Sequence, residues 1–134
     1  MSNITGSVEV TAEGWLHIRL DALLPNCRYG TAAYISDAIL ELLDGMPESP
    51  PYYDKAFLFI DEHGGLESRR VYDQDNKAWK AIPNALKGRV FEDDDQFTLS
   101  ICLMAKEDKE VACHIYVTPP EDAFLFLYKR YGDA

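Results

Sequence analysis

Residues Trp15 to Leu20 alternate strictly, with Leu16, Ile18 and Leu20 apolar and Trp15, His17 and Arg19 standing between them. A period of two puts the two sets on opposite faces of an extended chain, so this segment reads as a strand with one core-facing side. Ser7 to Val10 reads as its hairpin partner, joined through Ala12-Glu13-Gly14. The period then changes. From about Thr31 to Gly45, Tyr34, Ile35, Ala38, Ile39, Leu42 and Leu43 recur on one helical face, opposite Asp37, Glu41 and Asp44. Thr31 is suited to cap the start of that helix and Gly45 to end it.

Met46 to Tyr53, with three prolines, reads as an ordered linker, and Ala56 to Ile60 is a continuous apolar run typical of a buried strand. Ser68 to Tyr72 follows as a strand after Gly64-Gly65. Asn76 reads as the cap of a short helix through Ala78, Trp79, Ile82, Ala85 and Leu86, with a kink or restart at Pro83. A brief Val90-Phe91 segment precedes the acidic run Glu92 to Asp95. Phe97 to Met104 and Val111 to Val117 read as paired strands joined by a charged hairpin loop, Lys106 to Lys109. A last helix follows Thr118-Pro119-Pro120-Glu121, a sequence suited to a capped start. Phe124, Leu127, Tyr128 and Tyr131 form its expected apolar face, and Lys129 and Arg130 suit its C-terminal end. Leu125 and Phe126 fall outside that stripe, leaving more apolar surface than one core face needs; either the sheet covers it or it serves self-association, and a homodimer is the favoured expectation. The order of periods implies an α+β fold: a single domain over residues 1–134 with a mixed, mainly antiparallel sheet and about three helices.

A chain of 134 residues accommodates one such domain. It has no apolar stretch long enough for a membrane span, and its start lacks the pattern of a secretory signal, so a cytoplasmic location is expected. Cys27, Cys102 and Cys113 are odd in number and irregularly spaced, which favours buried structural thiols over a disulfide framework or a Cys113-His114 metal site. His17, His63 and His114 are scattered, with no Ser or Cys partner at a recognisable spacing, and His63 before Gly64-Gly65 reads as a turn residue. The net charge of −10 argues against general nucleic-acid binding. Six of the thirteen basic residues, Arg69, Arg70, Lys77, Lys80, Lys87 and Arg89, nevertheless lie close together in sequence and offer a local basic surface.

Asp73-Gln74-Asp75-Asn76 ends a strand and opens a helix. Residues i and i+2 of an extended chain point the same way, so Asp73 and Asp75 can face one site. Converging carboxylates favour a hard divalent cation such as Mg²⁺, and a carboxylate from Glu92 to Asp95 can complete the set. Asp and Asn are equally suited to simple capping and turns, so spacing alone leaves both readings open.

These residues carry a resemblance. Asp73-Gln74-Asp75-Asn76, then Lys80, then Asn84-Ala85-Leu86-Lys87-Gly88, then Glu92-Asp93-Asp94-Asp95-Gln96 resembles the RusA-like Holliday junction resolvases, including divergent members carried on mobile elements. Pro25-Asn26-Cys27-Arg28-Tyr29 is a faint echo of the family's Pro-rich, Asn-containing N-terminal loop. The resemblance implies Mg²⁺ bound by Asp73, Asp75 and Asp94, and Lys80 assisting cleavage. It also implies branched DNA as substrate, in recombination and repair. A different expectation is a non-catalytic binding or regulatory protein that retains the fold, such as an acidic mimic of DNA or a partner-binding module.

Overall fold

The computed structural model describes residues 4–27, 33–65, 73–74 and 77–132. Five strands form one sheet in the order β1-β2-β5-β3-β4. They are β1 (Gly6–Val10), β2 (Leu16–Leu20), β3 (Ala56–Gly64), β4 (Leu99–Glu107) and β5 (Ala112–Thr118). Every neighbouring pair is antiparallel except β3 with β4. Among the described residues, three helices, α1 (Ala33–Asp44), α2 (Ala81–Leu86) and α3 (Ala123–Gly132), complete the α+β architecture. None of the described helices is long and apolar enough to cross a membrane.

Alternation in the strands gives the sheet two different faces. On one, Leu16, Ile18 and Leu20 of β2, Leu58 and Ile60 of β3, and Ile115 and Val117 of β5 pack under α1 and α2. Ile35, Ala38, Ile39 and Leu43 are the buried side of α1. Each fully buried Leu or Ile there contributes roughly 1.5–3 kcal/mol. On the opposite face lie His17 and Arg19, Phe59, Asp61 and His63, and His114 and Tyr116; a smaller cluster of Trp15, Phe59, Met104, Ala123 and Phe126 holds α3 against it.

Gly14, at φ +89°, turns the β1–β2 hairpin at its expected position. The linker is ordered as expected, with Tyr53 N–H bonded to the Val90 carbonyl at 2.8 Å. Four expectations need correction. First, β4 and β5 do not pair, because β3 lies between them and bonds to both. β3 carries the most continuous apolar run, and a strand with both faces covered belongs inside the sheet. Residues 108–111 therefore cross the end of β3, where Asp108 N–H bonds to the Gly64 carbonyl at 3.0 Å.

Second, β3 does not stop at Ile60. It runs on through Asp61, Glu62 and His63, so His63 is a strand residue and not a turn residue. Third, α2 begins at Ala81, after Lys80, so Pro83 falls in its first turn, where a missing N–H costs nothing, and causes no interruption.

Fourth, α3 presents a different side to the core. Ala123 and Phe126 are buried, whereas Phe124 is 87% exposed, Tyr128 74% and Tyr131 58%. The aromatic floor of the sheet selects Phe126, which stacks on Phe59 at 3.9 Å and meets Tyr116 at 4.9 Å and Trp15 at 5.8 Å. The start of α3 also has no side-chain cap: a 3₁₀ turn, Pro120–Asp122, precedes it, and Thr118 Oγ1 donates to the Pro119 carbonyl. The expected strand Ser68 to Tyr72 and the cap at Thr31 lie outside the described residues.

Candidate functional site

In the sequence, the acidic motif lies between β3 and α2. Asp73 is exposed, and Asp75 and Asn76 lie outside the described residues. Lys80 is exposed immediately before the first turn of α2. Asp94 lies beyond the other end of that helix, with Oδ1 3.6 Å from Lys87 Nζ. A six-residue helix is about 9 Å long, so Lys80 and Lys87 mark two ends of a short rod. Asp95 is occupied locally, accepting from the N–H groups of Phe97 and Thr98 at 2.8 and 3.0 Å. Those bonds, that from Phe97 first, lower its pKa.

The segment leading into α2 is pinned at one point. Lys77 is buried and pairs with Glu62, which is itself 4% exposed; the second Glu62 oxygen accepts from Leu24 N–H at 2.8 Å. Lys77 therefore does not contribute to a basic surface. Asn26 forms a bridge with Lys77, and Ala78 N–H bonds to the Pro25 carbonyl at 2.9 Å, so the Pro25–Asn26 loop lies directly against the residues that follow the acidic motif. Arg89 pairs with Asp44 at 2.6 Å, while Arg69 and Arg70 are outside the described residues.

The sheet face under α3 gathers a second set of polar groups. Register places His17 of β2 opposite Tyr116 of β5, and His114 of β5 opposite both Arg19 and Asp61. His17 Nε2 lies 3.0 Å from His114 Nδ1, and His17 Nδ1 lies 2.7 Å from Glu9 Oε2. The His17 ring stacks on Tyr116 at 4.1 Å. Burial pushes the His17 pKa down, against the opposing hydrogen bond to Glu9.

The crossing loop brings Glu110 to the same place. Its Oε2 accepts from Arg19 Nε at 3.0 Å, while its Oε1 lies 3.0 Å from His114 Nε2 and 3.3 Å from His63 Nδ1. Contact with His114, reinforced by Arg19 against a smaller effect of burial, holds the Glu110 carboxyl down to about 2. His63 Nε2 bonds to Asp61 at 3.1 Å, and Arg130 Nε donates to the same carboxylate at 2.5 Å. A groove of about 300 Å³ opens beside these groups, bounded by Trp15, Tyr116, Phe126, Lys129 and Arg130.

Sequence spacing gives no hint of this assembly. His17, His63 and His114 are far apart along the chain, and only the registers of β2, β5 and β3 bring them together. The one usable signal is alternation: His17 and His114 each sit out of phase with the core positions of their strands. No protein-family model matches the chain, and no curated protein matches it.

Proposed function

We propose that the chain is a RusA-like, Mg²⁺-dependent endonuclease that acts on branched DNA. The observation that carries this reading is the order of Asp73, Asp75, Lys80 and Asp94 along the chain, with Lys80 immediately before a short helix and Asp94 beyond its other end. The packing of the Pro25–Asn26 loop against Lys77 and Ala78 supports it, because that loop is the echo of the family's N-terminal loop. Asp73, Asp75 and Asp94 supply hard oxygen donors, which suit Mg²⁺. When bound, the ion would neutralise charge on a phosphodiester and lower the pKa of a water. Lys80, exposed at the head of α2, would meet a phosphate oxygen and stabilise developing negative charge. Lys77 has no part in that chemistry, since its ammonium is committed to Glu62.

The unbridged thiols of Cys27, Cys102 and Cys113 suit a reducing, cytoplasmic setting. The exposed Phe124, Tyr128 and Tyr131 stripe of α3 is the apolar surface available to a homodimer, which sedimentation equilibrium would detect.

The test is cleavage of a synthetic four-way DNA junction with Mg²⁺ by the wild type and by Asp75→Asn. Cutting by the wild type that the variant loses supports the enzyme, and absence of cutting in both removes it. A second reading, a non-catalytic binding or regulatory protein, draws on one observation: Lys77, Lys87 and Arg89 of the basic cluster each face a carboxylate. Calorimetric Mg²⁺ binding that disappears in Asp73→Asn would favour the enzyme. No Mg²⁺ or DNA binding, with recovery of a protein partner, would favour the binding protein.

A further inference from the structure

We propose that His63, Glu110 and His114 form a binding site for one divalent transition-metal ion, with Zn²⁺ the best-matched ion. Their ligand atoms all lie within 4.8 Å of one another. Donors on a tetrahedral zinc stand about 3.3 Å apart, given metal–ligand bonds of about 2.0–2.1 Å. Glu110 Oε1 already lies 3.3 Å from His63 Nδ1 and 3.0 Å from His114 Nε2. Two imidazoles and one carboxylate suit zinc far better than Mg²⁺, so this site is chemically distinct from the Asp73, Asp75 and Asp94 set.

Among the described residues, one nitrogen in this cluster lacks a hydrogen-bond partner. His63 Nδ1 is buried without a hydrogen bond, although it lies 3.3 Å from Glu110 and 3.5 Å from Asp108. A buried ring nitrogen between carboxylates and bonded to neither is placed to bind a cation.

The groups behind the ligands are those that metal sites use. Asp61 lies 3.1 Å from His63 Nε2, His17 Nε2 lies 3.0 Å from His114 Nδ1, and Arg19 holds Glu110 Oε2 so that Oε1 is left for the ion. The neighbouring groove leaves room for water as a fourth ligand, the pattern of open zinc sites with three protein ligands.

The test is titration of the full chain with Zn²⁺ in excess Mg²⁺, by calorimetry, and with Co²⁺, followed through its visible tetrahedral bands. One equivalent should bind, and His63→Ala and His114→Ala should each weaken binding by more than about 100-fold, whereas Asp75→Asn and Cys27→Ser should leave it unchanged. In the wild type, the ¹⁵N resonances of His63 Nδ1 and His114 Nε2 should move on Zn²⁺ addition, a readout that needs no variant to fold. The proposal is overturned if the wild type binds no Zn²⁺, if those resonances stay fixed, or if folded His63→Ala binds as the wild type does.

Discussion

Asp61 and Glu62 are consecutive residues of β3, point to opposite faces of the sheet and are both buried, at 2% and 4% exposure. Each meets one cation on its own side. Arg130 of α3 reaches Asp61, and Lys77, just ahead of α2, reaches Glu62. The two pairs fasten the layers above and below the sheet to the same point of an interior strand. Burial of a lone carboxylate would be prohibitive, so each cation is a condition of β3 continuing past Ile60.

Lys77→Met should therefore destabilise the fold by about 3–5 kcal/mol, because it strands the Glu62 charge in the interior. The double variant Glu62→Gln/Lys77→Met should recover much of that loss, since the amide that replaces the carboxylate is neutral and its oxygen can still accept from Leu24 N–H. Urea denaturation of the three proteins measures both effects. A Lys77→Met protein as stable as the wild type would remove the buried pair as a structural element.

Phe126→Ala should cost about 3–5 kcal/mol by emptying the contact with Phe59, Tyr116 and Trp15. Phe124→Ala, on the exposed side of the same helix, should change stability by no more than about 0.5 kcal/mol. Thermal denaturation of both at low protein concentration checks the facing of α3, and the reverse ranking would invert it.

Thiol reactivity should follow burial. Burial raises the Cys113 pKa well above that of an ordinary thiol and raises that of Cys102 as well, while Cys27 is exposed. In the native protein, Ellman's reagent should modify Cys27 first, Cys102 slowly and Cys113 only on unfolding. Mass mapping that finds Cys113 labelled as fast as Cys27 would contradict its position in β5.

Tyr53 supplies a test at alkaline pH. Its hydroxyl donates to the Gly14 carbonyl at 2.8 Å, and burial raises its pKa above that of a free phenol. The unfolded chain therefore loses this proton first. The stabilisation is fully present below the ordinary phenol value of about 10 and is lost as pH rises through the higher folded value. Tyr53→Phe should be about 1 kcal/mol less stable at neutral pH and should lose stability less steeply above about pH 10. Parallel slopes for variant and wild type would show that Tyr53 is not protected in the fold.

Two elements were legible from residue order alone. The period of two in Trp15–Leu20 and the helical spacing from Tyr34 to Leu43 each report which side of one segment avoids water, and both elements formed as those patterns require. The acidic motif Asp73 to Asn76 is a reading of the sequence and of its resemblance, and Asp75 lies outside the described residues. Tertiary structure alone decided strand order, the extent of β3 and the facing of α3. β3 divides β4 from β5 because the interior of a sheet takes its most apolar strand, and β3 continues through two acids because distant cations neutralise them. The approach of His17, His63 and His114 follows from the registers that this order imposes. Periodicity is a property of one segment, whereas the neighbour of an imidazole is fixed by which strands lie side by side.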